Sequence, residues 1–293
     1  MVFKKGAFHL APRPLEIVRA VADLVSETGS HPEIINLPNT TEREKELLSL
    51  GQLLVGILHD NRSRLRFLAP VCPDYSQESS DTFYQTIGDG ISPQAYAAMR
   101  AAQLIEQIFS RYGIRPQVEI LVADTEDDIP EVMERCVDGD PQIYKNRCLA
   151  SVQAIGEELN GTQGTKVTTF TLGLGERFRQ IQYEYENVIK RLRGENSVFD
   201  REVRKLGDLR RERHSKILGR REVDYELTIR YMAQYAALGT LARRAEEPTI
   251  LLNYSTPNLP FYNAAVFRDP AFSLSTDDLR VVPILETVIR GKL

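Results

Sequence analysis

Two hydrophobic rhythms run through this chain. Residues 14–27 place apolar side chains at Leu15, Ile17, Val18, Val21, Leu24 and Val25, a helical stripe with Pro14 near its start. Residues 40–60 carry Thr at the cap and acids in the first turn, and predict a second helix. EIINLP, 33–38, fits a short strand or a loop. LRFLAPVC, 65–72, then reads as a buried strand. After a polar tract, 92–113 is the clearest helix, with Ser92 as N-cap, Pro93 behind it and Gly113 at its end. QVEILVAD follows as a strand rich in β-branched residues.

Strand, helix, strand in that order is a βαβ unit, which makes parallel sheet with a right-handed crossover. The alternation continues with a helix over 140–160, a strand over 166–173 (KVTTFTLG), a helix over 175–193 and a very polar helix over 198–217. An amphipathic helix over 224–247 stops at Pro248, and TILLNYS, 249–255, is a further strand. LRVVPILETVI offers a last strand interrupted by Pro283. The expectation is one α/β domain over 1–293, a mostly parallel sheet flanked by helices, with 175–221 as a basic helical insertion or side layer.

Composition narrows the function classes. A net charge of -4 argues against wholesale coating of nucleic acid. No run of eighteen apolar residues exists, so no membrane span is expected, and the N-terminus lacks a signal-like apolar core. Cys72, Cys136 and Cys148 form no CxxC, which fits a reducing compartment, and the cytoplasm is the expected location. The four histidines stand at no ligand spacing from another His or Cys, so no zinc site is expected, and a metal at the Asp124 carboxylate stays an open alternative. GDGIS and GLGE are Gly-containing turns but not dinucleotide fingerprints, and no cofactor is expected.

Ligands of open parallel sheets bind outside the carboxyl ends of the strands. Three such ends here are rich in polar groups: Cys72, Asp74, Tyr75 and Ser76; Asp124 with the acids after it; and Asn253, Tyr254, Ser255, Thr256 and Asn258. Asp124 and Tyr75 are the candidate catalytic groups, with Asp124 orienting an ammonium or accepting a proton. Cys72, Asp74, Asn253, Tyr254, Thr256 and Asn258 are the candidate substrate-binding residues. The bland reading of Glu126, Asp127 and Asp128 is that they favour the positive end of a following helix, with Asp127 or Asp128 as cap.

The stretch 190–221 holds twelve Lys or Arg against five Asp or Glu, a local +7 that leaves -11 on the rest. Such asymmetry marks either an RNA-binding surface or a solvated face laced with ion pairs. Arg204, Lys205, Arg210, Arg211 and Arg213 are its candidate RNA contacts.

The order FLAPVCPDYS, GDGISPQAYAAMRAAQLIEQIFSRYG, VEILVADTEDD, PQIY and YMAQYAALGTLARRAEEPTILLNYS resembles the isocyanide synthase family. That family is Rossmann-like and converts an amino acid's amino group to an isocyanide, with the carbon drawn from a sugar phosphate. It has a lysine where this chain has Asp74 and Tyr75, and a histidine where it has Asn253 and Tyr254, so the carry-over is limited to Asp124. The chain also resembles the cyclodipeptide synthases, Rossmann-like relatives of class I aminoacyl-tRNA synthetases that use charged tRNA and a basic helix to hold it. Tyr231 and Tyr235 lie on a late helix, as a tyrosine does in that family. CPDYS has no Gly-x-Ser turn, and Tyr235 stands where the family has a glutamate. The resemblances imply an enzyme on an amino acid or its derivative, with a small-molecule substrate, and in the second case tRNA as partner. A non-catalytic small-molecule sensor on the same scaffold is the third reading.

Overall fold

The computed structural model describes residues 65–73, 91–114, 116–130, 133–134, 137, 139–160, 162–194, 200–201, 203–204, 207–208, 221–245, 247, 249–255 and 284–288, with 16, 19, 20 and 23. Five parallel strands form one sheet: β1 (Arg66–Val71), β2 (Gln117–Val122), β3 (Thr165–Thr169), β4 (Thr249–Ser255) and β5 (Ile284–Val288), in the order β3-β2-β1-β4-β5. This is the Rossmann-like arrangement, and its order reverses direction between β1 and β4.

Both faces of the sheet are covered, which is why its strands read as nearly continuous apolar runs. Phe67, Ala69, Val71, Val118, Ile120, Val122, Ile250 and Leu252 share a core with α1 (Pro93–Arg111) and α2 (Pro141–Glu158). Leu68, Leu121 and Leu251 fall into the other core, with α4 (Glu176–Gly194) and α5 (Arg221–Arg244). The period-2 alternation of side chains sends neighbouring residues of one strand to opposite layers.

The expected cap at Ser92 forms, and Asp140 provides one for α2. Ser92 accepts from Ala95 N at 3.1 Å, and Asp140 accepts from Gln142 N at 2.8 Å. Gly113, just past α1, takes φ 67°. β5 begins directly after Pro283, and helical residues appear at 16, 19, 20 and 23 and at 200, 201, 203, 204, 207 and 208, within stretches expected to be helical. The segments 33–38 and 40–60 lie outside the described residues.

One element differs. KVTTFTLG is not a strand to 173: β3 ends at Thr169, and α3 (Phe170–Leu174) begins there. Thr169 Oγ1 accepts from Leu172 N at 3.2 Å, so a hydroxyl that suits a strand surface serves as a helix cap instead. Gly173 permits the turn to fold back on the sheet, since a Cβ there would lie 2.4 Å from Thr168 Cγ2.

Candidate functional site

The hydrogen-bonded pairing of β1 with β4 stops before either strand ends. β1 pairs with β2 through Val71↔Val122, but with β4 only from Arg66↔Thr249 to Leu68↔Leu251. β4 then continues beside β5 as far as Ser255↔Val288. The carboxyl end of the β1–β4 gap is the switch point of the sheet, the place where open parallel sheets bind ligands. Cys72, half-buried, stands at its β1 rim. Its N–H donates to Gln94 Oε1 at 3.0 Å, and its carbonyl accepts from Ser92 Oγ at 3.2 Å. Asn253 and Tyr254 belong to the β4 backbone on the opposite rim. Their side chains, and Asp74, Tyr75, Thr256 and Asn258 as a whole, lie outside the described residues.

The turn after β2 is fastened from several helices. Asp124 Oδ1 accepts from both the N–H and the Oγ1 of Thr171 in α3, each at 3.0 Å. Asp127 pairs with Lys145 of α2 at 3.1 Å and with Arg179 of α4 at 3.5 Å. Asp128 pairs with Arg230 of α5. Asp127 and Asp128 thus turn carboxylate oxygens to cations of α2, α4 and α5, because the strand end brings those helices within reach.

Arg230 is the hub of this arrangement. Nη1 donates to the Thr125 carbonyl at 2.7 Å and to Asp128, Nη2 donates to Asp128 Oδ2 at 3.1 Å, and Nε stands 3.2 Å from Glu186 Oε1. Burial opposes its charge, but the Asp128 hydrogen bond and the charges of Glu186, Asp128 and Glu126 outweigh it and hold the guanidinium above its ordinary range. Glu186 also accepts from Gln182 Nε2 at 3.0 Å, and Gln234 Nε2 donates to Thr125 Oγ1 at 2.5 Å. Gln182, Glu186, Gln234 and Thr125 are all buried, and Gln182 Oε1 has no hydrogen-bond partner among the described residues. Only a planar fork with several donors reaches a carbonyl and two carboxylates on different elements at once.

Beneath the turn, the Ala123 carbonyl accepts from Tyr144 Oη at 3.2 Å and faces Cys148 Sγ at 3.6 Å. Burial first, then the charges of Asp124 and Glu126, pushes the Cys148 thiol far up, so it is inert packing. Among the described residues no group of three His, Cys, Asp or Glu is placed to hold a metal.

The sequence singled out Asp124 but not Thr125, Thr171, Gln182, Glu186, Arg230 or Gln234. A signal exists in α4. Gln182 and Glu186 interrupt the apolar stripe of Phe178, Ile181, Tyr185 and Ile189, and a polar pair one turn apart in a buried stripe needs buried partners. Tyr231 and Tyr235 sit beside Arg230 and Gln234 on α5, with ring centroids 4.7 Å apart.

The basic stretch is partly self-paired. Arg193 Nε and Arg204 Nε donate to opposite oxygens of Asp200 at 3.0 and 2.6 Å, and both guanidiniums lie over the Tyr225 ring, at 5.4 and 5.9 Å. Arg204 nonetheless remains exposed. Lys205, Arg210, Arg211 and Arg213 lie outside the described residues.

No family model and no curated protein matches this chain. Among solved structures it is similar to AlbC, a cyclodipeptide synthase from Streptomyces noursei, with a TM-score of 0.42 and 12% identity over 78% of this chain and 97% of that one. It is also similar to a tryptophanyl-tRNA synthetase homolog from Entamoeba histolytica, with a TM-score of 0.38 and 10% identity over 84% of this chain and 57% of that one.

Proposed function

We propose that the protein is an enzyme that transfers an amino acid carried on tRNA. The observation that carries this reading is the placement of an acidic strand-end turn and a basic layer on the same edge of the sheet. α5 meets the end of β2 at Arg230 and leads into the start of β4 after Arg244, so its first turns project past the carboxyl ends of the strands. Tyr225, with Arg193 and Arg204 over it, precedes Arg230 by five residues, a rise of about 7.5 Å. A ligand that is cationic at one end and polyanionic at the other fits this order. Its ammonium meets Asp124, whose Oδ1 is held by Thr171 while Oδ2 takes no part in that clamp. Its phosphates run along 190–221. In this reading Tyr75, Asn253 and Tyr254 bind the aminoacyl group, and Cys72, Asp74, Thr256 and Asn258 are further substrate contacts.

The test has two arms. Gel-shift titration with tRNA at two salt concentrations is expected to show binding that weakens steeply with salt, as counterion release requires, and that reversal of charge at Arg210, Arg211 and Arg213 removes. Labelled aminoacyl-tRNA is expected to lose its amino acid to product in the presence of the protein. Absence of binding at low salt, or release of free amino acid at the uncatalysed rate only, overturns the reading.

A further inference from the structure

The hydroxyl of Thr171 stands between a group that can only donate and a group that accepts. Arg179 Nε donates to Thr171 Oγ1 at 3.3 Å, and Thr171 Oγ1 donates to Asp124 Oδ1 at 3.0 Å. A hydroxyl has one proton and two lone pairs, and the proton rotates to suit its neighbours. A guanidinium has five donors and no acceptor. Arg179 therefore fills a lone pair of the hydroxyl and offers its proton nothing, while Asp124 offers it an oxygen. The three groups form a chain with one direction, Arg179 to Thr171 to Asp124, and hydrogen bonds in such a chain polarise one another.

Thr171 and Arg179 lie eight residues apart, on different helices. Gly175 alone separates α3 from α4, with φ 71°, and its N–H donates to the Thr171 carbonyl at 3.0 Å. This tight connection brings the first turn of α4 back to the first turn of α3. Nη2 of the same guanidinium reaches Asp127 Oδ1 at 3.5 Å. One planar fork thus acts on the turn after β2 twice: directly at Asp127, and at Asp124 through Thr171. A threonine in a helix ordinarily divides between two χ1 rotamers. Here a donor on one side and an acceptor on the other favour a single one.

We infer that Arg179 is a positioning residue for Asp124 and acts through the Thr171 hydroxyl: it fixes that hydroxyl as a donor to Asp124 Oδ1, so that the carboxylate keeps one orientation toward the ammonium of the aminoacyl substrate. The inference rests on the proposed function for its substrate but not for its geometry. Arg179 itself touches neither the ammonium nor the reacting atoms.

The experiment compares the full-length protein with Arg179→Met, Thr171→Val and the double variant. Arg179→Ala is carried alongside, and Met and Ala both suit an exposed helical position. The first readout is the Thr171 χ1 angle, from three-bond NMR couplings to its methyl carbon. One rotamer is expected in the wild type and a mixture in the Arg179 variants. A mixture already in the wild type, or one unchanged rotamer in the folded Arg179 variants, overturns the inference whatever the activity. The second readout is kcat/KM for aminoacyl-tRNA. Each single variant is expected to lose about tenfold. The double variant is expected to lose no more than the worse single one, because the arginine acts through a hydroxyl that valine lacks. Losses that multiply to about a hundredfold assign Arg179 to its Asp127 pair instead and overturn the inference. A rotamer mixture with unchanged kcat/KM removes the role in substrate positioning. A wild-type protein without turnover sinks the functional reading, and the rotamer arm still decides the chain from Arg179 to Asp124.

Discussion

Asp124 and Thr171 are joined by two hydrogen bonds to a single oxygen: Asp124 Oδ1 accepts from the Thr171 N–H and from its hydroxyl, both at 3.0 Å. This ties the end of β2 to the first turn of α3 and gives the carboxylate one orientation. Asp124→Asn keeps an Oδ1 acceptor, so the fold is expected to survive with Tm within about 2 °C. Turnover is expected to fall at least a hundredfold, because the neutral amide neither pairs with an ammonium nor accepts a proton. An Asp124→Asn protein that is folded and fully active shows that the clamp is structural only. Thr171→Val, which removes one of the two bonds, is expected to cost about 1 kcal/mol in urea denaturation.

Half-buried Arg230 and buried Glu186 form a charge pair between α5 and α4. Such a pair is weak evidence for stability, while a lone charge left behind is costly. Arg230→Met alone strands Glu186 and is expected to lose about 3–5 kcal/mol of unfolding free energy. Arg230→Met with Glu186→Met removes both charges and is expected to recover most of that loss. Chemical denaturation of the two variants reads the difference. Equal destabilisation of single and double variants shows that the Thr125 carbonyl and Asp128, not Glu186, set the importance of Arg230.

Two glycines are expected to respond in opposite directions. Gly164 has φ +84°, and a Cβ there would lie 2.7 Å from the Pro116 carbonyl oxygen. Gly164→Ala therefore meets both a left-handed backbone and a hard contact, and is expected to lose about 2 kcal/mol or more. Gly156 lies inside α2 with nothing within 4 Å of a Cβ. Gly156→Ala is expected to add about 0.5–1 kcal/mol by helix propensity. Urea midpoints of both variants check the pair.

Asp200 gives stability a sign in acid. The Arg204 hydrogen bond holds its carboxyl below the ordinary value, with partial burial opposing and Arg193 assisting. A carboxylate depressed in the folded state contributes stability that is fully present above the unfolded value, about 3.9, and lost as pH falls through the folded one. The gap in Tm between the wild type and Asp200→Asn is thus expected to be largest above about pH 5 and to close below about pH 4. Solvent screening limits it to a few degrees. A gap that stays constant from pH 3 to 6 assigns the Asp200 contribution to packing rather than charge.

The strands β1, β2 and β4 and the helices α1 and α2 were legible because their signals are local. A doubly covered strand reads as an apolar run, and Ser92-Pro93 and Asp140-Pro141 open helices by chemistry contained in two residues. Parallel pairing also followed, because helices between strands leave the chain few other connections. Thr169 shows where local reading stopped. Its propensity favours a strand, yet its hydroxyl caps a helix once the chain turns at the sheet edge. The site divides in the same way. Asp124 was visible as an acid at the end of an apolar run. Its partner Thr171 is 47 residues away, and Arg230 reaches Thr125 across 105. Periodicity says which face of a helix is buried, but not which carbonyl an arginine on that face will meet. Local composition was enough for these strands and helices, for a mostly parallel sheet and for the acid at the strand end. The strand order β3-β2-β1-β4-β5, and the fastening of the acids of the turn by three helices, came only with folding, since both depend on which strands and helices become neighbours.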